Sequence, residues 1–258
     1  MEAKENKSQS VGARVVSEIL NSFNGDSPEI GIAELARKLG MYPSKIHRVV
    51  SALERSGLLE KNAVTRKYKI GLRLFEIGNL YPVNLSMRRI ARPHALELAR
   101  AFETNVHLGI MSKSMPCSVV IIDRVINIQS ENSFIQRVSF NVPIHSSSLG
   151  KALLAFSEDR LVRSILQRIN FERFTSSTIT DRGRFEKELR LVRNQGYAID
   201  RGETHSDLYC IGAPIRDSSG VIAAISVSDF REKIQKKEVE IINKIISTAD
   251  SLSYQLGS

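Results

Sequence analysis

Two groups of residues in this sequence have types and spacings that could do chemistry, and they lie far apart. The first is a run of cations. Between Arg37 and Arg73 stand ten lysines or arginines (Arg37, Lys38, Lys45, Arg48, Arg55, Lys61, Arg66, Lys67, Lys69 and Arg73) against two acids, Glu54 and Glu60. A stripe of one sign on a compact unit is a footprint for a polyanion, with duplex DNA first among them. Charge alone also attracts RNA or an anionic membrane surface. The second group is a serine-rich turn, His145-Ser146-Ser147-Ser148-Leu149-Gly150, that opens into the apolar run KALLAF. The first turn of a helix carries free backbone amides and a partial positive charge. That suits a carboxylate or phosphate, although serines before a helix are more often simple caps.

Other residue types add to the second group. Ser226 and Ser228 alternate, so both face one side of a strand. Asp200 follows a strand and can accept hydrogen bonds from ligand hydroxyls. Cys210 is a neutral thiol that can flank an apolar or weakly polar group. Each has a plain alternative: ordinary strand residues, a capping acid, a core thiol.

Other classes of function find less support. Cys210, His145 and Asp200 are residue types a nucleophilic hydrolase needs, but no spacing brings them together. The turn at Ser148 is not a GxSxG elbow either. An RNA-binding reading lacks aromatic residues beside the basic run, and the chain has no Trp. His94, His107, His145 and His205 form no metal-ligand spacing, and Cys117 and Cys210 are far apart. No metal or cofactor is expected, and the two cysteines read as free, mostly buried thiols. No apolar run approaches the roughly 20 residues of a membrane span. The opening MEAKENKSQS has no signal-peptide core, so a cytoplasmic protein is expected.

These residues need elements to position them. Val16, Ile19, Leu20 and Phe23 give one apolar face to a helix over about 10–23, stopped by the turn NGDSP. Ile32, Leu35, Ala36 and Leu39 predict a second helix, ended by Gly40. Pro43 suits the first turn of a third, running to about Arg55. Ile46, Val49, Val50 and Leu53 form its buried face, and Ser44, Lys45, His47, Arg48 and Ser51 are left on the other. Two helices joined by a short glycine-containing turn, the second one basic, read as helix-turn-helix. A short basic hairpin follows, from Leu58 through a turn at 62–65 to Ile70, with Arg66 and Lys67 near its tip. Residues 85–104 predict a helix that Pro93 kinks or restarts. Beyond it, strands are expected at 106–110, 118–125, 134–138, 196–200, 210–216 and 221–228. Helices are expected after Ser148 and over 158–168, 183–194 and 236–252. Mixed strands and helices of this kind make an α+β fold.

The segment IAELARKLGMYPSKIHRVVSALERSGLLEKNAVTRKYKIGLRLFEIG, with Ser44-x-x-His47-Arg48 and Tyr68-x-Ile70-Gly71, resembles the DNA-binding half of the IclR family of bacterial transcription regulators. IHSSSLGKALLAF, RFTSSTITD, NQGYAID and CIGAPIRDSSGVIAAISVS resemble that family's GAF-like sensor domain. Two positions depart from the pattern: Lys45 replaces a small hydroxyl residue, and Arg66 stands where the wing usually turns on Gly. The resemblance implies a winged helix-turn-helix domain over 1–82, a linker helix over 83–104 and an effector-binding domain over 105–258. It implies a repressor of carbohydrate or carboxylic-acid catabolism that binds a double-stranded DNA operator as a homodimer or homotetramer. Ser44, Lys45, His47, Arg48, Ser51, Arg66 and Lys67 would meet DNA. A small organic acid would sit against Ser148 and Leu149, with Phe134, Asp200, Leu208, Cys210, Ser226 and Ser228 lining the remainder.

Overall fold

The computed structural model describes residues 12–25, 27–78, 80, 82–112, 117–127 and 141–257. The expected strand over 134–138, and Phe134 with it, lie outside the described residues. The chain divides into two compact units, Met1–Pro82 and Val83–Ser258.

In the first unit, α1 (12–20), α2 (Ile32–Leu39) and α3 (Pro43–Arg55) enclose a small core. Val15, Ile19, Ile30, Leu35, Ala36, Ile46, Val50, Leu53, Leu59 and Tyr68 are its buried members. The apolar face of α1 centres on Val15 and Ile19, with Val16, Leu20 and Phe23 flanking it. Strands β1 (Leu59–Lys61) and β2 (Tyr68–Ile70) pair antiparallel. Ile30 and Tyr68 exchange backbone hydrogen bonds of 2.9 Å in each direction, which joins the hairpin to the segment entering α2. A further helix, α4 (Leu72–Gly78), follows, and none of its residues is buried.

In the second unit, α5 (Pro82–Phe102) runs through Pro93 without ending. Strands β3 (Asn105–Met111), β4 (Ser118–Val125), β5 (Asn141–Pro143), β6 (Ala198–Asp200), β7 (Leu208–Asp217) and β8 (Gly220–Phe230) form one sheet. Its order is β5-β4-β3-β8-β7-β6, and each neighbouring pair is antiparallel. Alternation along each strand gives the sheet two apolar faces, and each face takes helices. Met87, Ala91, Ala95 and Leu98 of α5 share one core with Ile241, Ile245, Ala249 and Leu252 of α10 (Glu238–Gln255). Between β8 and α10 runs the short helix α9 (Arg231–Gln235). The other face is covered by α6 (Ser148–Ala155), α7 (Asp159–Arg168) and α8 (Arg182–Gln195), through Leu149, Leu153, Ile165, Phe185 and Leu189. The candidate site lies on this second face.

Candidate functional site

Helix α3 sorts its residues by side. Ile46, Val50 and Leu53 are buried, while Ser44, His47 and Arg48 are exposed and Lys45 and Ser51 half-buried. Among the described residues, Lys45, Arg48 and Arg66 have no ion-pair partner, so their charge is available to an incoming anion. Lys67 is held 3.8 Å from Glu34 and Lys69 3.4 Å from Glu60. Sequence reasoning missed Tyr42, which precedes α3 and is 83% exposed. A large aromatic in a polar turn was the available signal.

The hairpin tip is built, not loose. The Asn62 side-chain oxygen accepts the amides of Val64 (2.9 Å) and Thr65 (3.2 Å). Glu29 accepts from Asn62 Nδ2 at 2.7 Å and Thr65 Oγ1 at 2.8 Å. These bonds hold the Glu29 carboxyl below its ordinary value, helped by Lys69 and Lys67. Arg66 sits in the left-handed region at φ 59°. A side chain there costs about 1–2 kcal/mol that glycine would not, so the turn retains an exposed cation at the expense of backbone comfort. The unit that carries this face is less basic than its central run implies. Residues 1–82 hold 13 Lys or Arg against 9 Asp or Glu.

In the second unit the serine turn does two jobs. Ser147 is a true cap: its hydroxyl accepts the Gly150 amide at 3.1 Å and donates to the Pro143 carbonyl at 2.6 Å. The amides of Ser148 and Leu149 then fall in the first turn of α6, where no intrahelical acceptor exists. Gly212 allows α6 to start directly on β7, since a Cβ there would lie 3.2 Å from Ser148.

This start of α6 heads a cavity of about 260 Å³. The sheet supplies its floor through register. Asp200 lies opposite Cys210 and Cys210 opposite Ser228, while Ser226 lies opposite His107. Ser148, Leu149, Asp200, Leu208, Cys210, Ser226 and Ser228 all line this cavity, although they come from four separate elements. Sequence reasoning missed its other walls, notably His107, Ile121, Val142, Phe174 and Thr204. No short-range signal marks them: His107, Ile121 and Val142 lie on paired strands, and Phe174 and Thr204 in loops distant from them in sequence.

Electrostatics here follow from burial. Burial pushes the Asp200 carboxyl up, against Lys151 and the amides of Glu203 and Thr204, which pull it down. One Asp200 oxygen accepts the Glu203 amide at 2.6 Å, which folds the loop after β6 over the cavity. Lys151 is fully buried, 2.6 Å from Glu203 and 3.1 Å from Glu188. Burial also drives the Cys210 thiol well above its usual value, with Asp200 adding to the rise. Cys210 and Cys117 are both free thiols, largely shielded from solvent.

His145 is used structurally. Its Nε2 is 3.0 Å from the Glu172 carbonyl, and its ring packs on Phe171 and Phe174. A protonated thiol with its presumptive base engaged elsewhere is a poor nucleophile.

Residues 80–254 match the bacterial transcriptional regulator IclR C-terminal domain, and residues 14–63 match the IclR helix-turn-helix domain. The chain belongs to the IclR family. It is 30% identical over 249 residues to the HTH-type transcriptional regulator KdgR of Escherichia coli K12, which covers 94% of this chain and 93% of that relative. The crystal structure of Thermotoga maritima IclR is 25% identical, covering 98% of this chain and 99% of the other, with a TM-score of 0.70. An IclR homologue from Microbacterium hydrocarbonoxydans, solved with 4-hydroxybenzoate, has a TM-score of 0.79 at 24% identity and covers 95% of this chain and 99% of that one. This IclR-family chain is therefore a DNA-binding transcriptional regulator. The hydrolase alternative is set aside by its relatives, which are regulators, and by the state of Cys210. Among the described residues, no helix of this IclR-family chain is long and apolar enough to cross a membrane.

Proposed function

We propose that this regulator is a repressor switched by a small organic acid from carbohydrate or carboxylic-acid catabolism. The carboxylate docks on the amides of Ser148 and Leu149, with Asp200, Leu208, Cys210, Ser226 and Ser228 around the rest of the molecule. The observation that carries this reading is the convergence of those seven residues on one cavity at a helix start. A cavity of about 150 Å³ already holds benzene, so about 260 Å³ has room for a ring or short chain with polar substituents. The acid bound to the Microbacterium homologue is of this class.

Ser44, Lys45, His47, Arg48 and Ser51 read the major groove from α3, and Arg66 and Lys67 reach phosphate or the minor groove from the wing. The active species is a homodimer that can pair into a tetramer. Leu72, Phe75, Ile77 and Leu80, all exposed on and just after α4, support an apolar contact with a second copy. Residues 83–104 act as the linker between the DNA-binding domain (1–82) and the effector-binding domain (105–258).

Two titrations test the proposal. A thermal-shift screen against small carboxylates should raise the melting temperature with at least one, because a ligand that binds only the folded state stabilises it by mass action. Duplexes enriched from a random pool should bind with steep salt dependence, losing roughly 10³–10⁵ in affinity between 50 and 200 mM salt for 6–10 phosphate contacts. A flat salt response, or no stabilising acid, would reject the corresponding half.

A further inference from the structure

The cavity has a polar end that the serine turn does not explain. His107 lies on β3, opposite Ser226 on β8, and lines the cavity. It is buried, and its Nδ1 shares a 3.2 Å hydrogen bond with the Ser228 hydroxyl. Its Nε2 is also buried and has no hydrogen-bond partner among the described residues. Buried polar atoms normally find a partner, so this nitrogen is a vacancy in the hydrogen-bonding of the cavity wall. Burial, with a smaller contribution from Arg124, pulls the imidazole down to about 3, so it is neutral at physiological pH.

The charge around the cavity is one-sided in the same sense. Among the described residues that line it there is no lysine or arginine. The nearby cation Lys151 is committed to Glu188 and Glu203. Asp200 contributes a carboxyl to the lining. The helix start can therefore compensate one negative charge, and the cation at the His107 end, Arg124 opposite it on β4, is like Lys151 already engaged within the protein.

Resting on the proposed organic-acid reading of this cavity, we infer that His107 is its specificity-determining residue, selecting a monocarboxylate whose other end carries a neutral hydroxyl and rejecting dianions. A hydroxyl is the matching group because it can donate or accept. If Ser228 donates to Nδ1, then Nε2 carries the proton and donates to the ligand; in the other tautomer Nε2 accepts from it. A carboxylate at the same place would be desolvated with no uncommitted counter-charge beside it.

The test is isothermal titration of the full chain with two matched sets: 4-hydroxybenzoate, benzoate and terephthalate, and 4-hydroxybutanoate, butanoate and glutarate. In the wild type the hydroxy acid of at least one set should bind about 2- to 12-fold more tightly than its unsubstituted parent, the worth of one neutral hydrogen bond. The dicarboxylate should bind at least about a hundredfold more weakly than the hydroxy acid. His107→Asn keeps an atom near Nδ1 but none near Nε2, and should bring the hydroxy-to-parent ratio to about one. His107→Gln reaches the Nε2 position and should retain most of the preference. A dicarboxylate that binds as well as its hydroxy acid overturns the inference without recourse to any variant. So does an undiminished hydroxyl preference in His107→Asn. If none of the six acids binds at millimolar concentration, the organic-acid reading itself fails, and this inference with it.

Discussion

Replacing Lys151 with methionine probes a cluster of buried charge. Lys151 is wholly inside, on the helix that heads the cavity, with Glu203 at 2.6 Å and Glu188 at 3.1 Å. Methionine has similar length but no charge, so packing is largely kept while the two carboxylates lose their partner. Glu188 retains a weak contact with Arg201 at 3.7 Å, but Glu203 keeps only a long bond from the Arg201 amide (3.4 Å), with its other oxygen already lacking a hydrogen bond among the described residues. Breaking a buried pair from one side costs about 3–5 kcal/mol.

The pH dependence follows from the direction of the Glu203 shift. Burial raises this carboxyl, and Lys151 opposes the rise, so removing Lys151 sends it further up. A carboxyl whose folded-state value exceeds its unfolded value adds stability below the unfolded value and loses it as pH climbs through the folded one. The deficit of Lys151→Met should thus be greatest at pH 7–8 and shrink towards pH 5. Urea unfolding followed by far-ultraviolet circular dichroism would give the difference, and hydrogen exchange of peptides from β6 to β8 would localise it. Adding Glu203→Gln should recover a large part of the loss. A deficit below about 1 kcal/mol at pH 7.5, or one that does not shrink on acidification, would refute the reasoning.

The remaining predictions concern both units. Arg48→Ala should weaken operator binding by about 1–3 kcal/mol if Arg48 reads a base; fluorescence anisotropy with unchanged affinity and sequence preference would mean that α3 does not read the operator. Arg66→Gly removes a side chain from a left-handed position, so it should leave thermal stability unchanged or raise it by up to about 1 kcal/mol. The same variant should lower the salt slope of duplex binding by about one, and a slope equal to wild type would show that Arg66 meets no phosphate. Cys210, held protonated by burial and Asp200, should react with iodoacetamide at pH 7.5 at least about tenfold more slowly than free cysteine, because only the thiolate attacks. Mass spectrometry of the labelled peptide gives the rate, and labelling as fast as the free amino acid would contradict the assigned burial.

Much of the scaffold was legible in the residues. The expected bounds of α2 and α3 agree with Ile32–Leu39 and Pro43–Arg55, because their apolar residues repeat at helical spacing between strong stop signals. Elements without a one-sided apolar pattern were not legible. Helix α4, LRLFEIG, exposes Leu72, Phe75 and Ile77 and buries nothing, so it offered no core face to read. Strand β5 has three residues and exists through its pairing with β4. Pro93 signals a break by its chemistry, yet the helix continues, with Ala91, Ala95 and Leu98 packed into the core around it.

The sequence by itself determined the chemical types available: a basic helix and hairpin, a capped serine turn, and hydroxyls alternating on a strand. These are local properties, written in spacings of two to four residues. Tertiary structure alone decided which of them share a cavity. His107 and Ser228 are 121 residues apart and meet because β3 and β8 pair in one register. A slip of one residue would turn every side chain of the strand to the opposite face and carry His107 away from the cavity. Sheet register is set by the packing of both faces at once, and no short stretch of sequence contains that information.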